Sequence, residues 1–209
     1  MLAPNTFRRS PTPHRLRLGS APKRALLVLG LVLATACGPE KLVGTDLGAQ
    51  PSPDFTLMDG RTGSPVSLSG LRGNVVALAF LYTTCPDTCP ITAEQFRQAQ
   101  EKLGPDADRV RFVAVSVDPA GDTPASVKDF SASHRLDRNW HYLIGPASTL
   151  RSVWTAYGIR SEAEPSGHGV GHTDAIYLID AKGNERVLLH TVDGADVLLK
   201  DLKILLKGL

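Results

Sequence analysis

Two stretches of the chain are almost wholly apolar: NVVALAFLY from Asn74 to Tyr82, and RVRFVAVSVD from Arg109 to Asp118. Runs of that length without alternation predict strands covered on both faces, in the interior of a sheet. Between them Ile91, Phe96, Ala99 and Leu103 mark one face of a helix that stops at Gly104-Pro105. Asp122-Thr123-Pro124 has the form of an N-cap with proline at the first helical position, and Asp122 is read as part of that cap. The helix it opens runs to about His134. Trp140 to Ile144 then predicts a short strand, and Ala147 to Tyr157 a helix. A loop rich in Gly, Ser and acidic residues follows from Gly158 to Gly171. AIYLID (Ala175–Asp180) and Arg186–Thr191 predict a hairpin, and an amphipathic helix from about Ala195 to Leu206 closes the chain. Ahead of the first long strand, Asp54-Phe55-Thr56-Leu57 and Val66-Ser67-Leu68 flank a Gly-containing turn and predict an N-terminal hairpin. This succession of strands and helices is an α/β pattern.

The first 53 residues stand outside that pattern. Residues 1–24 hold Arg8, Arg9, Arg15, Arg17, Lys23 and Arg24 and no acidic residue, and an apolar run from Ala25 to Ala34 follows. A basic start, about ten apolar residues and a small-residue site predict a secretory signal over 1–37; the run is shorter than the ~20 residues that span a bilayer. Ala34-Thr35-Ala36 suits simple cleavage, while Leu33-Ala34-Thr35-Ala36-Cys37 resembles a bacterial lipobox and favours lipidation of Cys37; an uncleaved anchor is the third reading. All three place the protein outside the cytoplasm, and lipidation or an uncleaved signal would tie it to the membrane. Residues 38–53 read as a tether and 54–209 as the functional domain. The leader also accounts for the basic balance. The chain has 23 Lys and Arg against 21 Asp and Glu. Six of the basic residues lie in the leader, so residues 38–209 keep 17 against 21, a net of −4. Nothing in that supports nucleic-acid binding.

The chemistry concentrates in Thr84-Cys85-Pro86-Asp87-Thr88-Cys89-Pro90, between the first long strand and its helix. Pro90 suits the first helical position, which makes Cys89 the expected N-cap and places both sulfurs at the mouth of the loop. Helix N-terminal amides stabilise a thiolate, so at least one Cys is expected to titrate below about 8.5. Such a pair exchanges disulfides or holds a soft metal. A purely structural disulfide is the alternative, although a bridge closing so short a loop adds little stability. A Cys pair in this position makes the expected fold thioredoxin-like: a central mixed sheet flanked by helices, with the N-terminal hairpin.

CPDTCP after an apolar strand resembles the Sco/SenC family, copper-handling proteins linked to assembly of cytochrome c oxidase. The likeness continues in Ser116-Val117-Asp118-Pro119 with Asp122-Thr123-Pro124, and in His172-Thr173 leading into Tyr177-Leu178-Ile179-Asp180. These motifs follow in the family's order over residues 54–180. The resemblance implies Cys85, Cys89 and His172 as copper ligands, copper as Cu(I) or Cu(II), and a copper donor protein and an oxidase subunit as partners. Gly171 stands where the family often has Asp.

Two thiolates leave copper short of ligands, and an imidazole serves both of its oxidation states. His172, in the loop before an apolar strand, fits that need. His168 is an auxiliary candidate, Asp174 a candidate to orient His172, and Asp118 a neighbour of the metal loop. Asp87 adds charge between the cysteines or stabilises their turn, and His134, His141 and His190 read as structural. Two roles share these residues: a copper metallochaperone, and a thiol–disulfide oxidoreductase keeping the oxidase cysteines reduced. A peroxidase is disfavoured by Leu78 and Tyr82 at positions where peroxiredoxins carry Pro and Thr. Ordinary thioredoxin is disfavoured by the CxxxC spacing, a methionine-based carrier by Met58 being the only Met besides Met1, and structural zinc by having three evident ligands rather than four.

Overall fold

The computed structural model describes residues 40–163 and 170–208. The leader, Cys37 and His168 lie outside them. In chain order the elements are β1 (Thr45–Pro51), β2 (Thr56–Asp59), β3 (Pro65–Ser67), β4 (Val75–Leu81), α1 (Thr88–Leu103), β5 (Val110–Ser116), α2 (Pro124–Ser133), β6 (Trp140–Ile144), α3 (Ala147–Ala156), β7 (Ser161–Ala163), β8 (Val170–His172), β9 (Ile176–Ile179), β10 (Asn184–Leu189) and α4 (Gly194–Leu206).

Eight strands form one mixed sheet in the order β1-β10-β9-β4-β5-β6-β2-β3. The two apolar runs lie at its centre: β4 and β5 pair in parallel from Val75↔Val110 to Leu81↔Ser116, and all seven residues of β4 are buried. Full burial of each Val, Leu or Phe stabilises the fold by roughly 1.5–3 kcal/mol, so this pair is the main energetic reason for the sheet. Right-handed crossovers from β4 to β5 and from β5 to β6 set α1 and α2 on one face. There Phe96 of α1 packs on Phe112 and Trp140, and the Trp140 indole donates to Ser131 of α2. On the other face Tyr157, the residue after α3, packs on Phe80 and Phe55. The Trp154 indole N–H of α3 donates to the Ser116 carbonyl. The predicted α/β, thioredoxin-like architecture and both hairpins are present.

Four local expectations are corrected. The supposed tether is structured from Glu40 onward: β1 pairs antiparallel with β10 as an edge strand. Its sequence hides this because six of its seven residues are exposed, so no apolar periodicity is needed. Asp201, fully buried in α4, fixes its start by accepting the N–H groups of Val43 and Gly44 at 2.7 and 2.9 Å. The loop 158–171 contains β7, which pairs with β8 through Ser161↔His172, so His172 is a strand residue. Helix α1 begins at Thr88 with Asp87 as N-cap, placing Cys89 inside the first turn. Pro90 is tolerated there because first-turn N–H groups have no helical partner. Ile91, expected on the buried face, is 49 % exposed.

Candidate metal and dithiol site

The site forms where β4 ends. Its last turn before the cysteines is held by Asp122, which is 6 % exposed. That carboxylate accepts the Thr83 backbone N–H at 2.8 Å, the Thr83 hydroxyl at 2.7 Å, the Ser116 hydroxyl at 2.6 Å and the Tyr142 hydroxyl at 3.0 Å. Asp122 is therefore not the helix cap: Thr123 caps α2 in a reciprocal box with Ser126. Burial holds the Asp122 carboxyl above its ordinary value, against the pull of those donors. Sequence reading missed this role because capping and buried anchoring both use Asp, and only the sheet brings Thr83, Ser116 and Tyr142 to one point.

Cys85 and Cys89 are both free thiols and both buried, at 9 % and 0 % exposure. Their environments differ. The Cys89 thiol donates to Cys85, with the His172 ring and the backbone N–H groups of Cys89 and Asp87 adding to it, and against the opposing effect of burial they lower the Cys85 pKa to about 3. The same shared proton, together with burial, pushes Cys89 well above the ordinary thiol value. At neutral pH the pair is thus one thiolate and one thiol, with Cys85 the more nucleophilic by ionisation.

His172 faces this pair from β8. Its Nδ1 donates to the Thr173 carbonyl at 3.0 Å. A carbonyl only accepts, so Nδ1 carries a proton, and Nε2 is the ring nitrogen turned to the sulfurs, 3.8 Å from Cys89 Sγ. The Tyr82 ring meets the imidazole edge-on, with centroids 5.8 Å apart. The hairpin carrying His172 is fixed to the sheet: Ser161 Oγ donates to the Val117 carbonyl, and Arg160 and Thr173 exchange bonds at 3.0 Å.

Other candidates fall elsewhere. Asp174 does not touch His172; it accepts the Thr191 N–H and hydroxyl, and the Thr173 carbonyl takes the orienting role assigned to it. Asp118 closes its own turn by accepting Ala120 and Gly121 N–H groups. Asp87 makes no side-chain cap bond. His141 is paired with the buried Asp59 at 2.9 Å, His190 donates to the Asp174 carbonyl, and His134 packs on Phe130.

The donor set of two sulfurs and an imidazole suits a soft, thiophilic ion. Sulfur and nitrogen ligands of one tetrahedral ion lie about 3.5 Å apart, close to the Cys89–His172 spacing. Among the described residues no three such side chains already converge at ligand distances, so metal capture requires Cys89 to give up its proton and the sulfurs to draw in.

A sheet of this order with a Cys-x3-Cys pair at the head of the first crossover helix defines a thioredoxin-like dithiol protein, here supplemented by an imidazole donor. The chain belongs to the SCO1/SenC family, whose model matches residues 44–207. It is 30 % identical over 162 residues to the SCO1 protein homolog of Bacillus subtilis, covering 75 % of this chain and 82 % of that protein. It spans about half the length, 52 %, of the mouse mitochondrial SCO2 homolog. Among solved structures, Bradyrhizobium japonicum ScoI with copper bound superposes with a TM-score of 0.66 at 30 % identity, covering 74 % of this chain and 99 % of that one. BsSco, a Sco-family cytochrome c oxidase assembly protein in which a disulfide switch was identified, gives 0.65 at 26 % identity, covering 79 % and 98 %.

Proposed function

We propose that this protein binds one copper ion through Cys85, Cys89 and His172 outside the cytoplasm and hands it to the copper centre of a cytochrome c oxidase subunit. The observation that carries the reading is the direction of His172: Nδ1 is engaged by the Thr173 carbonyl and Nε2 is turned to Cys89 at 3.8 Å. Disulfide exchange has no need of that nitrogen, whereas a three-donor copper site does. The copper-bound ScoI relative and the oxidase-assembly relative support the same assignment. Copper bound there is cargo held by two thiolates and an imidazole, with the burial of both sulfurs limiting access of water and oxidant. Residues 1–37 supply export, and lipidated Cys37 the membrane attachment.

A second reading has its own support. One ionised and one protonated thiol, both unbridged, are the reduced state of an exchanging pair, which would keep the oxidase cysteines reduced for metal insertion. Anaerobic Cu(I) titration of the reduced protein and of His172→Ala separates the two. One tightly held copper that weakens sharply in the variant supports delivery. Affinity unchanged by His172→Ala removes the three-donor site and leaves the reductase.

A further inference from the structure

Beside the site, a groove of about 620 Å³ runs between the start of α1 and the start of α4. Pro90, Ile91, Glu94, Gln95, Asp193 and Asp196 contribute to its lining, and none of them holds the Cys–His cluster. The groove adjoins that cluster through covalent and hydrogen-bonded neighbours. Pro90 follows Cys89, and Thr92 of the same turn bonds Thr191 at 2.8 Å. Thr191 in turn holds Asp174, two residues beyond His172.

Three features of this region bear on what it can hold. First, four large hydrophobic side chains are exposed among the described residues, and two of them flank this junction: Ile91 at 49 % and Val192 at 88 %. Second, Gln95 is 7 % exposed and its Nε2 donates to the Thr191 carbonyl at 2.7 Å. Its Oε1 is the one buried side-chain oxygen or nitrogen among the described residues without a partner. A buried acceptor left without a donor is costly and gains from an incoming one. Third, the charged lining is Glu94, Asp193 and Asp196 against Lys102; Glu94 is paired with Arg97 and Asp196 with Lys102, which leaves Asp193, bonded to the His190 N–H, as the carboxylate without an ion pair among the described residues. The rim therefore keeps a net negative charge, centred on Asp193, and favours a cationic group there.

We propose that this groove docks an extended segment of the partner polypeptide whose cysteines the Cys85–Cys89 pair serves. The segment places an apolar side chain against Ile91 and Val192, a basic side chain at the acidic rim and a backbone N–H toward Gln95 Oε1. The proposal rests on the dithiol being functional, and it adds how a partner is recognised. In the reductive direction the Cys85 thiolate attacks the partner's disulfide, forming a mixed disulfide and releasing one partner sulfur, which takes the Cys89 proton. The Cys89 thiolate then attacks Cys85 and displaces the second sulfur. The partner leaves with two electrons more, as a dithiol once its second sulfur has taken a proton from solvent, and Cys85–Cys89 is the disulfide.

The reduced full-length chain is mixed with three oxidised probes: a cyclic two-cysteine peptide flanked by Leu and Lys, the same peptide flanked by Ser and Glu, and hydroxyethyl disulfide. The Leu/Lys peptide is expected to react on the order of tenfold faster than the Ser/Glu peptide. Ile91→Ser combined with Val192→Ser is expected to erase most of that preference and leave the hydroxyethyl disulfide rate unchanged. Equal rates for the two peptides, or a double variant slowed equally toward all three probes, overturns the docking surface. Absence of reaction with hydroxyethyl disulfide overturns the exchange chemistry itself, and the docking with it.

Discussion

Asp174 binds Thr191 twice, accepting its backbone N–H at 2.8 Å and its hydroxyl at 2.7 Å, while Thr191 Oγ1 also takes the hydroxyl of Thr92 at 2.8 Å. The chain Thr92–Thr191–Asp174 thus ties the helix that carries Cys89 to the segment that follows His172, through one buried bond and two part-buried ones. Thr191→Val removes both hydroxyl bonds. The expected result is Cu(I) affinity lowered about tenfold, equivalent to one neutral hydrogen bond, with exchange toward a small disulfide preserved. Thr191→Ser is expected to restore affinity. Competition titration against a Cu(I) chelator reads the difference; full affinity in Thr191→Val refutes the clamp.

Asp122 is the second anchor. Asp122→Ala leaves the Thr83 N–H and the Ser116 and Tyr142 hydroxyls without their acceptor in the core. Stability is expected to fall by about 3 kcal/mol, since each buried donor left unsatisfied costs on the order of 1 kcal/mol or more. Urea unfolding measures it, and a loss below 1 kcal/mol contradicts the assigned role.

The Cys85 thiol sets a pH signature. Its pKa of about 3 lies far below the ordinary 9.0. Alkylation of Cys85 by iodoacetamide is therefore expected to hold its rate from pH 8 down to pH 5. The linkage sign follows: an acid depressed in the native state contributes stability that is complete above pH 9.0 and is lost as pH falls toward 3. Cys85→Ser is expected to flatten that part of the stability profile. A titration midpoint near 9 for Cys85 alkylation would falsify the assignment of Cys85 as the thiolate.

Gly44 tests the edge strand. A Cβ built there would sit 2.2 Å from Leu189 Cδ2 and 2.6 Å from Val187 Cγ1. Gly44→Val is expected to destabilise by about 1–3 kcal/mol and to speed hydrogen exchange of the β1 amides. Unchanged exchange shows that β1 is not seated against β10.

The central strands can be read directly from the residues, because a strand buried on both faces has no choice but to be apolar along its whole length, as Val75–Leu81 is. The order of the main strands and helices and the two predicted hairpins are legible in the same way, since their turn residues and apolar runs are local signals, whereas β1, β7 and β8 are not. The chemistry of CPDTCP and the ordered motifs around it pointed to the dithiol and to His172 before any fold was drawn. The relationships that join distant residues come from the three-dimensional packing. The edge strand β1 carries exposed side chains and is held by backbone bonds and by Asp201, 150 residues away and more. Asp122 joins the ends of β4 and β5 to Tyr142 in the middle of β6 instead of capping its own helix, and Asp174 clamps Thr191 instead of orienting His172. A carboxylate or a hydroxyl offers the same donors and acceptors to any partner. Which partner it meets is set by the sheet register and the packing of α1 and α4, and a one-dimensional pattern does not contain those distances.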